Sequence, residues 1–363
     1  MPPEKPQWKE LYSEVVATGL CTGCSACIVA CPHDVLKYND KNSVFQPYHV
    51  DEDGGLYDCT HGQRGCTLCT RACPRFRNWE NDAENYLFGR TREDNEVFGI
   101  CREILLTRAN DSEIQKVCQD GGFVSAALIF ALENNIIDAA LVSDISDSDI
   151  TKAYPKVAHT REEVLKTAGS RYTYSANPLA YFDAINSGYE RLALVGMSCQ
   201  ASIPAILSAR KAGKVARRFE LSIGLLCSKT FNEEIFDDFF FKQYGIKKQE
   251  ILKINIKGKF EIWLKDGSYK ELPLKEGHVY TRNGCKLCTD FAAQHADISV
   301  GGIGKFNDYT LTIIRTERGQ ELLDAMIRAG AIETKSIDED PDVINLLEKL
   351  SRVSRKRLKV SSN

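Results

Sequence analysis

The sequence has no long apolar run and contains few methionines, tryptophans and histidines. Its 363 residues include only 3 Met, 3 Trp and 6 His. No uninterrupted apolar segment approaches the ~20 residues that a membrane-spanning helix requires, so we expect no transmembrane segment. Residues 1–6 contain no apolar core of a secretory signal peptide. These absences predict a cytoplasmic protein, for which peripheral docking to a membrane complex stays open.

A strong charge of either sign is also absent. The 47 Lys and Arg residues nearly balance the 50 Asp and Glu residues, and the formal net charge is −3. Nucleic-acid-binding proteins usually concentrate basic residues on one surface, so we expect no nucleic-acid partner. The sequence also contains no Ser-His-Asp motif and no metalloprotease motif. We therefore expect no side chain to act as a catalytic nucleophile.

Cysteine, in contrast, is abundant, with 14 residues. In a chain without an export signal, clustered cysteines more often bind metal or carry out redox chemistry than form disulfides. Eight of them fall between residues 21 and 73 in two runs. The first run consists of Cys21, Cys24, Cys27 and Cys31, followed by Pro32. The second run consists of Cys59, Cys66, Cys69 and Cys73, followed by Pro74.

The first run has the C-x2-C-x2-C-x3-C-P spacing of bacterial-type ferredoxins, and the second ends in the same way but has its first cysteine displaced outward. In this motif three cysteines bind one cluster and the fourth binds the other cluster. The spacing therefore predicts two [4Fe-4S] clusters. We assign Cys21, Cys24, Cys27 and Cys73 to one and Cys31, Cys59, Cys66 and Cys69 to the other. A pair of zinc sites is the alternative, because C-x2-C occurs in both chemistries, but two C-x3-C-P endings in tandem argue against it.

The remaining sequence predicts an α/β protein, α+β overall, with an N-terminal bacterial-type ferredoxin module. We expect a ferredoxin-like domain over 1–80 and a polar linker over 81–100, because the latter segment lacks apolar periodicity. Downstream, a predicted helix at 123–132 alternates with short apolar strands at 139–142, 191–196 and 221–226, which is typical of an α/β domain.

The C-terminal third has two further features. Period-two alternation between 251 and 274, with turns at Gly258 and Gly267, predicts a small antiparallel meander. Residues 311–363 are expected to form C-terminal helices with a basic end at 351–359. Such an end is usually a solvated helix face, and a docking surface for a partner is the alternative.

Four further cysteines follow predicted strands or turns. They are Cys199, Cys227, Cys285 and Cys288. Loops at the carboxyl ends of strands in an open α/β sheet converge on one edge, which would allow these thiols to meet. Composition alone favours a role in packing, since free cysteines are among the most buried residues. We keep the packing role for Cys101 and Cys118.

Several motifs together resemble those in the coenzyme F420 hydrogenase/dehydrogenase family of beta subunits. They are residues 119–128, 169–172, 196–200, 224–227, 285–291 and 296–301. Members of this family bind FAD and a [4Fe-4S] cluster and exchange hydride with coenzyme F420, and chlorophyllide-type reductases share the domain. The resemblance implies that residues 101–310 form an FAD and [4Fe-4S] domain. It also implies that Cys199, Cys227, Cys285 and Cys288 bind a third cluster.

The same resemblance supplies the candidate contacts to FAD and F420. They are Gly121, Gly122, Phe123, Ser125, Gly169, Ser170, Arg171, Tyr172, Gly196, Gln200, Lys229, Asp290 and Phe291. A glycine pair that opens a helix offers backbone N–H groups to a phosphate, although most such pairs are only turns. Without the resemblance, the loop at 168–173 would be interpreted as a polar surface loop. The chain departs from the family pattern at Met197-Ser198, where Thr-Pro is common, and at Gly302, where an acidic residue is common.

Three hypotheses of function follow. In the first, electrons pass between F420 and FAD, then through three [4Fe-4S] clusters to or from a redox partner subunit or ferredoxin. In the second, a ferredoxin-dependent enzyme reduces an organic substrate, as the chlorophyllide-type relatives do. In the third, the chain relays electrons without a flavin. The regular two-cluster run suits a conduit and favours the first hypothesis.

Overall fold

The computed structural model describes residues 5–41, 44–50, 59–146 and 149–357. The N-terminal part has short helices on either side of a hairpin. Its elements are α1 (Trp8–Leu11), a π-helical turn (Tyr12–Val16), α2 (Ala26–Val29), β1 (Leu36–Asn39), β2 (Gln46–His49), α3 (Thr60–Gln63) and α4 (Leu68–Ala72). Strands β1 and β2 pair antiparallel. Buried Trp8, Leu11, Ile28 and Phe76 form a small core around the predicted ferredoxin cysteines.

The segment from 81 to 100, predicted as a polar linker, contains part of helix α5 (Trp79–Phe88). This helix packs Trp79 and Ala83 against Ala205 and Ile206 of a later helix. The apolar face of α5 is short, and five of its ten residues are Glu, Asn or Asp. The sequence pattern therefore indicated only a surface connection.

The central part of the fold is an eight-stranded mixed sheet. Its strands are β3 (Glu103–Ala109), β4 (Ala139–Ile145), β5 (Ala153–Ala158), β6 (Leu192–Met197), β7 (Phe219–Leu225), β11 (Ile298–Gly301), β12 (Thr310–Ile314) and β13 (Ile332–Ser336). Their order is β13-β3-β12-β11-β7-β6-β4-β5. Strands β4, β6, β7 and β11 run parallel to one another, and the other four pair antiparallel. The parallel strands are apolar along most of their length because helices cover both faces of the sheet.

Helices connect and cover these strands. They are α6 (Ser112–Val117), α7 (Phe123–Glu133), α8 (Arg161–Lys166), α9 (Tyr181–Asn186), α10 (Ser198–Ala201), α11 (Ile203–Ala209), α15 (Glu317–Arg328) and α16 (Pro341–Arg355). Helix α7 is strongly apolar and lies in the main core with Phe123, Leu128 and Ile129 buried. Among the residues described, no helix is long and apolar enough to cross a bilayer.

A second, three-stranded sheet is inserted between β7 and β11. Its strands β8 (Ile251–Ile256), β9 (Phe260–Leu264) and β10 (Tyr269–Leu272) form the predicted antiparallel meander. It packs on a π-helical segment (Ile235–Phe241) through an aromatic core that includes Phe239, Phe240 and Phe260. Helices α12 (Lys242–Tyr244), α13 (Leu274–Gly277) and α14 (Asn283–Lys286) flank the insertion.

The predicted α/β fold class is confirmed, including the ferredoxin-like N-terminus, the meander and the C-terminal helix. The C-terminal segment is not entirely helical, because β12 and β13 belong to the central sheet. The edge strand β13 has only one buried residue, Ile332, so it carried no strand pattern. The end of the predicted basic segment, residues 358–359, lies outside the described residues.

Candidate functional site

Four cysteines from distant parts of the sequence line one cavity, and we call them the sheet set. They are Cys199, Cys227, Cys285 and Cys288. Cys199 follows β6, Cys227 follows β7, and Cys285 lies in α14. The cavity lies at the carboxyl ends of neighbouring parallel strands, which is the edge of an α/β sheet where ligands usually bind.

The sheet set is held by hydrogen bonds from several loops. The backbone N–H of Cys227 donates to the Phe291 carbonyl at 2.9 Å, and the Thr230 hydroxyl lies 3.4 Å from the Cys285 Sγ. Burial raises the pKa of the Cys227 thiol, and the thiolates of the other three members raise it further. The four thiols therefore face one another around a common space.

Four ferredoxin cysteines line a second cavity, and we call them the proximal set. They are Cys21, Cys24, Cys27 and Cys73. The loop carries Gly23 and Ser25 in the left-handed region, with φ of 73° and 64°. This backbone turns three thiols toward one point, and Cys73 arrives from the end of α4. Burial raises the pKa of Cys27, and Cys73, Cys24 and Cys21 add to the rise in that order.

The other four ferredoxin cysteines also gather, and we call them the distal set. They are Cys31, Cys59, Cys66 and Cys69. Burial raises the pKa of Cys69 to about 12, and the like charges that oppose its ionisation are Cys66, Cys31 and Cys59. Cys31, Cys66 and Cys69 are only half-buried. This set is therefore closer to solvent than the proximal set, in which three of the four members are buried.

The sheet set and the proximal set share a wall. Thr22 lines both cavities. A Cβ added to Gly284, next to Cys285, would collide with the Cys21 carbonyl. Arg282 donates to the Thr22 carbonyl at 3.2 Å, and its guanidinium lies over the Tyr174 ring, 3.5 Å from the centroid. The two cavities are thus neighbours across one stretch of backbone.

Each of the three sets offers four thiols, which is the number of donors that a [4Fe-4S] cluster takes. A mononuclear zinc site holds its sulfurs about 2.3 Å from one ion. Within residues 5–41, 44–50, 59–146 and 149–357, no group of three His, Cys, Asp or Glu side chains converges in that way. Four thiols around a cavity leave room for the cubane that the ferredoxin spacing predicts. The sheet set and the proximal set, which line such cavities, therefore fit [4Fe-4S] clusters, and the distal set offers the same four donors.

The loops predicted to bind a flavin also approach one another. The carboxamide oxygen of Gln119 accepts a hydrogen bond from the Ser170 N–H at 3.4 Å, and the Tyr172 hydroxyl lies 3.5 Å from Asn255. Buried Gln119 Nε2 and Arg171 Nε have no partner among the described residues. Unpaired buried donors are costly, so this place fits an acceptor-rich group such as a diphosphate.

The glycine pair has a packing role that the sequence pattern did not indicate. A Cβ on Gly121 would collide with the Thr107 carbonyl, and a Cβ on Gly122 would meet Ile114. Gly122 also has a φ of 80°. Close packing of this turn on β3 and α6 therefore requires both glycines, whether or not a phosphate binds at the first turn of α7, which carries Phe123 and Ser125.

The other candidate cofactor contacts lie beside the sheet set. Lys229 and Asp290 line its cavity. Phe291 is buried behind Cys227. Gln200 packs over Gly196 and donates to the Ser175 carbonyl at 2.6 Å. These five candidates lie in or next to the cavity of the sheet set, whereas the loops at 119–122 and 169–172 form a separate site.

The structure shows which group lies beside Gly302, the position where the family commonly has an acidic residue. A Cβ at this position would run into the Asp120 carboxyl group, which also lies 3.7 Å from the Lys257 ammonium group. Burial raises the pKa of Asp120, and Lys257 and Lys253 oppose that rise. A carboxylate from another loop thus occupies the space into which a side chain at 302 would project.

Two arginines at these sites, Arg75 and Arg357, were not predicted from the sequence. Arg357 lies in the predicted basic end, yet its Nη1 donates to the carbonyls of Ser228, Cys285 and Cys288 at 2.9, 3.0 and 3.1 Å. Arg75 reaches Cys288. The partners lie far apart in the chain, and no spacing rule connects them. Cys101 and Cys118 lie at the edges of apolar cores, as expected.

Family profiles match most of the chain. Residues 20–76 match a 4Fe-4S dicluster domain. Residues 104–180 match the N-terminal part, and residues 189–340 the C-terminal part, of the coenzyme F420 hydrogenase/dehydrogenase beta subunit.

Known proteins and a solved structure are similar over long stretches. The coenzyme F420 hydrogenase subunit beta of Methanococcus voltae is 37% identical over 256 residues, which cover 70% of this chain and 91% of the relative. The protein of the same name from Methanothermobacter thermautotrophicus is 36% identical over 276 residues, 74% of this chain and 95% of the relative. A chain in a structure of the F420-reducing [NiFe] hydrogenase complex from Methanosarcina barkeri aligns with a TM-score of 0.70 and 28% identity, over 74% of this chain and 94% of that chain.

Proposed function

Because the chain belongs to the coenzyme F420 hydrogenase/dehydrogenase family of beta subunits, we propose that it transfers electrons between coenzyme F420 and a redox partner subunit or ferredoxin. It would bind one FAD and three [4Fe-4S] clusters. When bound, FAD supplies the exchange between a two-electron hydride and the single electrons that the clusters carry. The observation that carries the proposal is that the cavity of the sheet set shares Thr22 with the cavity of the proximal set.

This geometry supports one order of the three sets. The sheet set belongs to the same domain as the flavin loops, and the proximal set adjoins it. The distal set comes last, because Cys31 follows Cys27 by four residues and Cys69 lies on the helix that ends just before Cys73. Its half-buried cysteines suit contact with a partner protein, since electron exchange requires a cluster near the surface.

Anaerobic purification followed by iron and flavin analysis tests the cofactor content. Three clusters of four irons predict about 12 iron atoms per chain, together with about one FAD. Reduced F420, but not NADH, is expected to bleach the flavin. A holoprotein with the expected iron and no flavin would contradict the proposal as stated.

Arg171 provides a sharper test of the flavin loops. We expect Arg171→Ala to weaken FAD binding by about 10- to 100-fold, because a charged donor to a phosphate is worth roughly 1.5–3 kcal/mol. The measurement is FAD titration of the deflavinated protein that retains its clusters. Arg161→Ala is the matched control, because Arg161, the first residue of α8, pairs with Asp111, which caps the N-terminus of α6. Equal FAD affinity in Arg171→Ala and the parent protein would exclude this loop as the diphosphate site.

A flavin-free electron relay is the second candidate function. It is favoured by one observation, that packing alone accounts for Gly121 and Gly122. The relay predicts full iron content, no FAD affinity, and no reduction by F420. The same flavin titration of the parent protein therefore separates the two candidates.

A further inference from the structure

Arg75 connects the proximal set with the sheet set. Its backbone N–H donates a hydrogen bond to the Cys73 thiolate, and its Nη2 lies 3.4 Å from the Cys288 Sγ. The side chain also lines the cavity of the proximal set. Arg75 thus contacts one cysteine of the proximal set and one of the sheet set, although Arg75 and Cys288 are 213 residues apart in the sequence.

The position of the Arg75 side chain is fixed by its surroundings. Its Nη1 donates to the Pro74 carbonyl at 2.8 Å. Its guanidinium lies 4.8 Å from the centroid of the Trp79 ring, and buried Trp79 packs edge-on against His295 at 5.1 Å. Because Arg75 follows Cys73 by two residues, the same backbone segment positions a cysteine of the proximal set and the Arg75 guanidinium.

Two cysteines of the sheet set and two carboxyl groups face the Arg75 guanidinium. Cys288 and Cys199 attract it most strongly, and Asp290 and Glu80 follow. Glu80 is itself engaged by Arg355 at 3.0 Å. The positive charge of Arg75 is therefore directed toward the cluster sites. Reduction adds one negative charge to a [4Fe-4S] cluster, and hydrogen bonds and charge near the sulfurs set its potential.

We propose that Arg75 is a positioning residue that raises the reduction potentials of the proximal and sheet-set clusters together, so that both accept an electron from the flavin more readily. This inference rests on the proposed function. Electron transfer between the two clusters oxidises one cluster by one electron and reduces the other by one. It breaks no bond and moves no proton, and Arg75 is unchanged by it.

Redox titration of the purified holoprotein, followed by electron paramagnetic resonance, tests this role. Removal of the charge in Arg75→Gln is expected to lower the midpoint potentials of both clusters and to change that of the distal set least. Arg75→Lys keeps a charge and the backbone N–H but withdraws from Cys288, so it should lower mainly the sheet-set potential. Arg77→Gln is the matched control, because Arg77 is exposed and pairs with Glu14 at 2.7 Å.

The outcomes separate this inference from the proposed function. Unchanged potentials in Arg75→Gln, with all three clusters present, would overturn the role of Arg75 and leave the proposed function intact. An equal shift in Arg77→Gln would do the same, because the effect would then be one of net charge. If Arg75→Gln fails to retain its clusters, an unchanged sheet-set potential in Arg75→Lys overturns the inference. A parent protein without three clusters would instead contradict the proposed function.

Discussion

Replacement of Cys288 by alanine is expected to lower the iron content from about 12 to about 8 atoms per chain, because a [4Fe-4S] cluster bound by four thiolates loses one of its ligands. F420-dependent reduction of an acceptor should fall to the background rate, since in the proposed order the sheet-set cluster passes electrons from the flavin to the proximal set. The proximal and distal clusters should remain. Iron analysis and electron paramagnetic resonance of the dithionite-reduced variant count the clusters, and a spectrophotometric assay of F420-dependent acceptor reduction measures the rate.

Cys118→Ala is the control for this variant. Cys118 is also a half-buried free cysteine of the same domain, but it belongs to none of the three sets. Its Sγ lies 2.8 Å from the Asp120 carbonyl oxygen. Its iron content and activity should equal those of the parent protein. An unchanged iron count in Cys288→Ala would refute the assignment of the third cluster.

The second large effect concerns stability and involves Arg315, a fully buried cation at the end of β12. Its guanidinium donates to Ser299 Oγ at 2.6 Å and to the carbonyls of Ile100, Ala292 and Phe98 at 2.9, 2.8 and 3.1 Å. Burial lowers the pKa of Arg315 to about 10, which still leaves it charged at neutral pH. It ties β11, the segment before β3 and the loop after Cys288 to one point.

Arg315→Met should lower the free energy of unfolding by about 4 kcal/mol, because it leaves several buried acceptors without a donor. For a chain of this length that corresponds to a fall of roughly 5 °C in the midpoint of thermal unfolding. Differential scanning calorimetry of the holoproteins measures the change. Arg318→Met is the matched control, because the Arg318 side chain is 50% exposed and should shift the midpoint by about 1 °C or less. Equal midpoints for the two variants would contradict the structural role of Arg315.

The cysteine spacing predicted the ferredoxin part of the site because ligands of that module lie close together in sequence. The crossing of Cys31 and Cys73 between the two runs follows from the same motif. The structure brings each predicted set of four together. The sheet set needed the family resemblance, because Cys199 and Cys285 meet only through the topology of the sheet.

Other parts of the site depend on contacts that no sequence pattern reveals. Arg75 and Arg357 contact Cys288 from segments that are distant in sequence. A basic helix end has the same sequence pattern whether it is exposed to solvent or packed against the protein. Gly121 and Gly122 were expected to serve a phosphate, yet the close approach of β3 and α6 already requires them. A local motif cannot distinguish a glycine needed by a ligand from one needed by packing.

The most direct test of the account is anaerobic mixing of the flavin-loaded, cluster-loaded protein with reduced F420 and, separately, with NADH. Flavin absorbance and the electron paramagnetic resonance of the clusters are recorded over time. We expect reduced F420 to bleach the flavin and reduced-cluster signals then to appear, while NADH changes neither. Persistent flavin absorbance with reduced F420, or equal reduction by NADH, would contradict the proposed function.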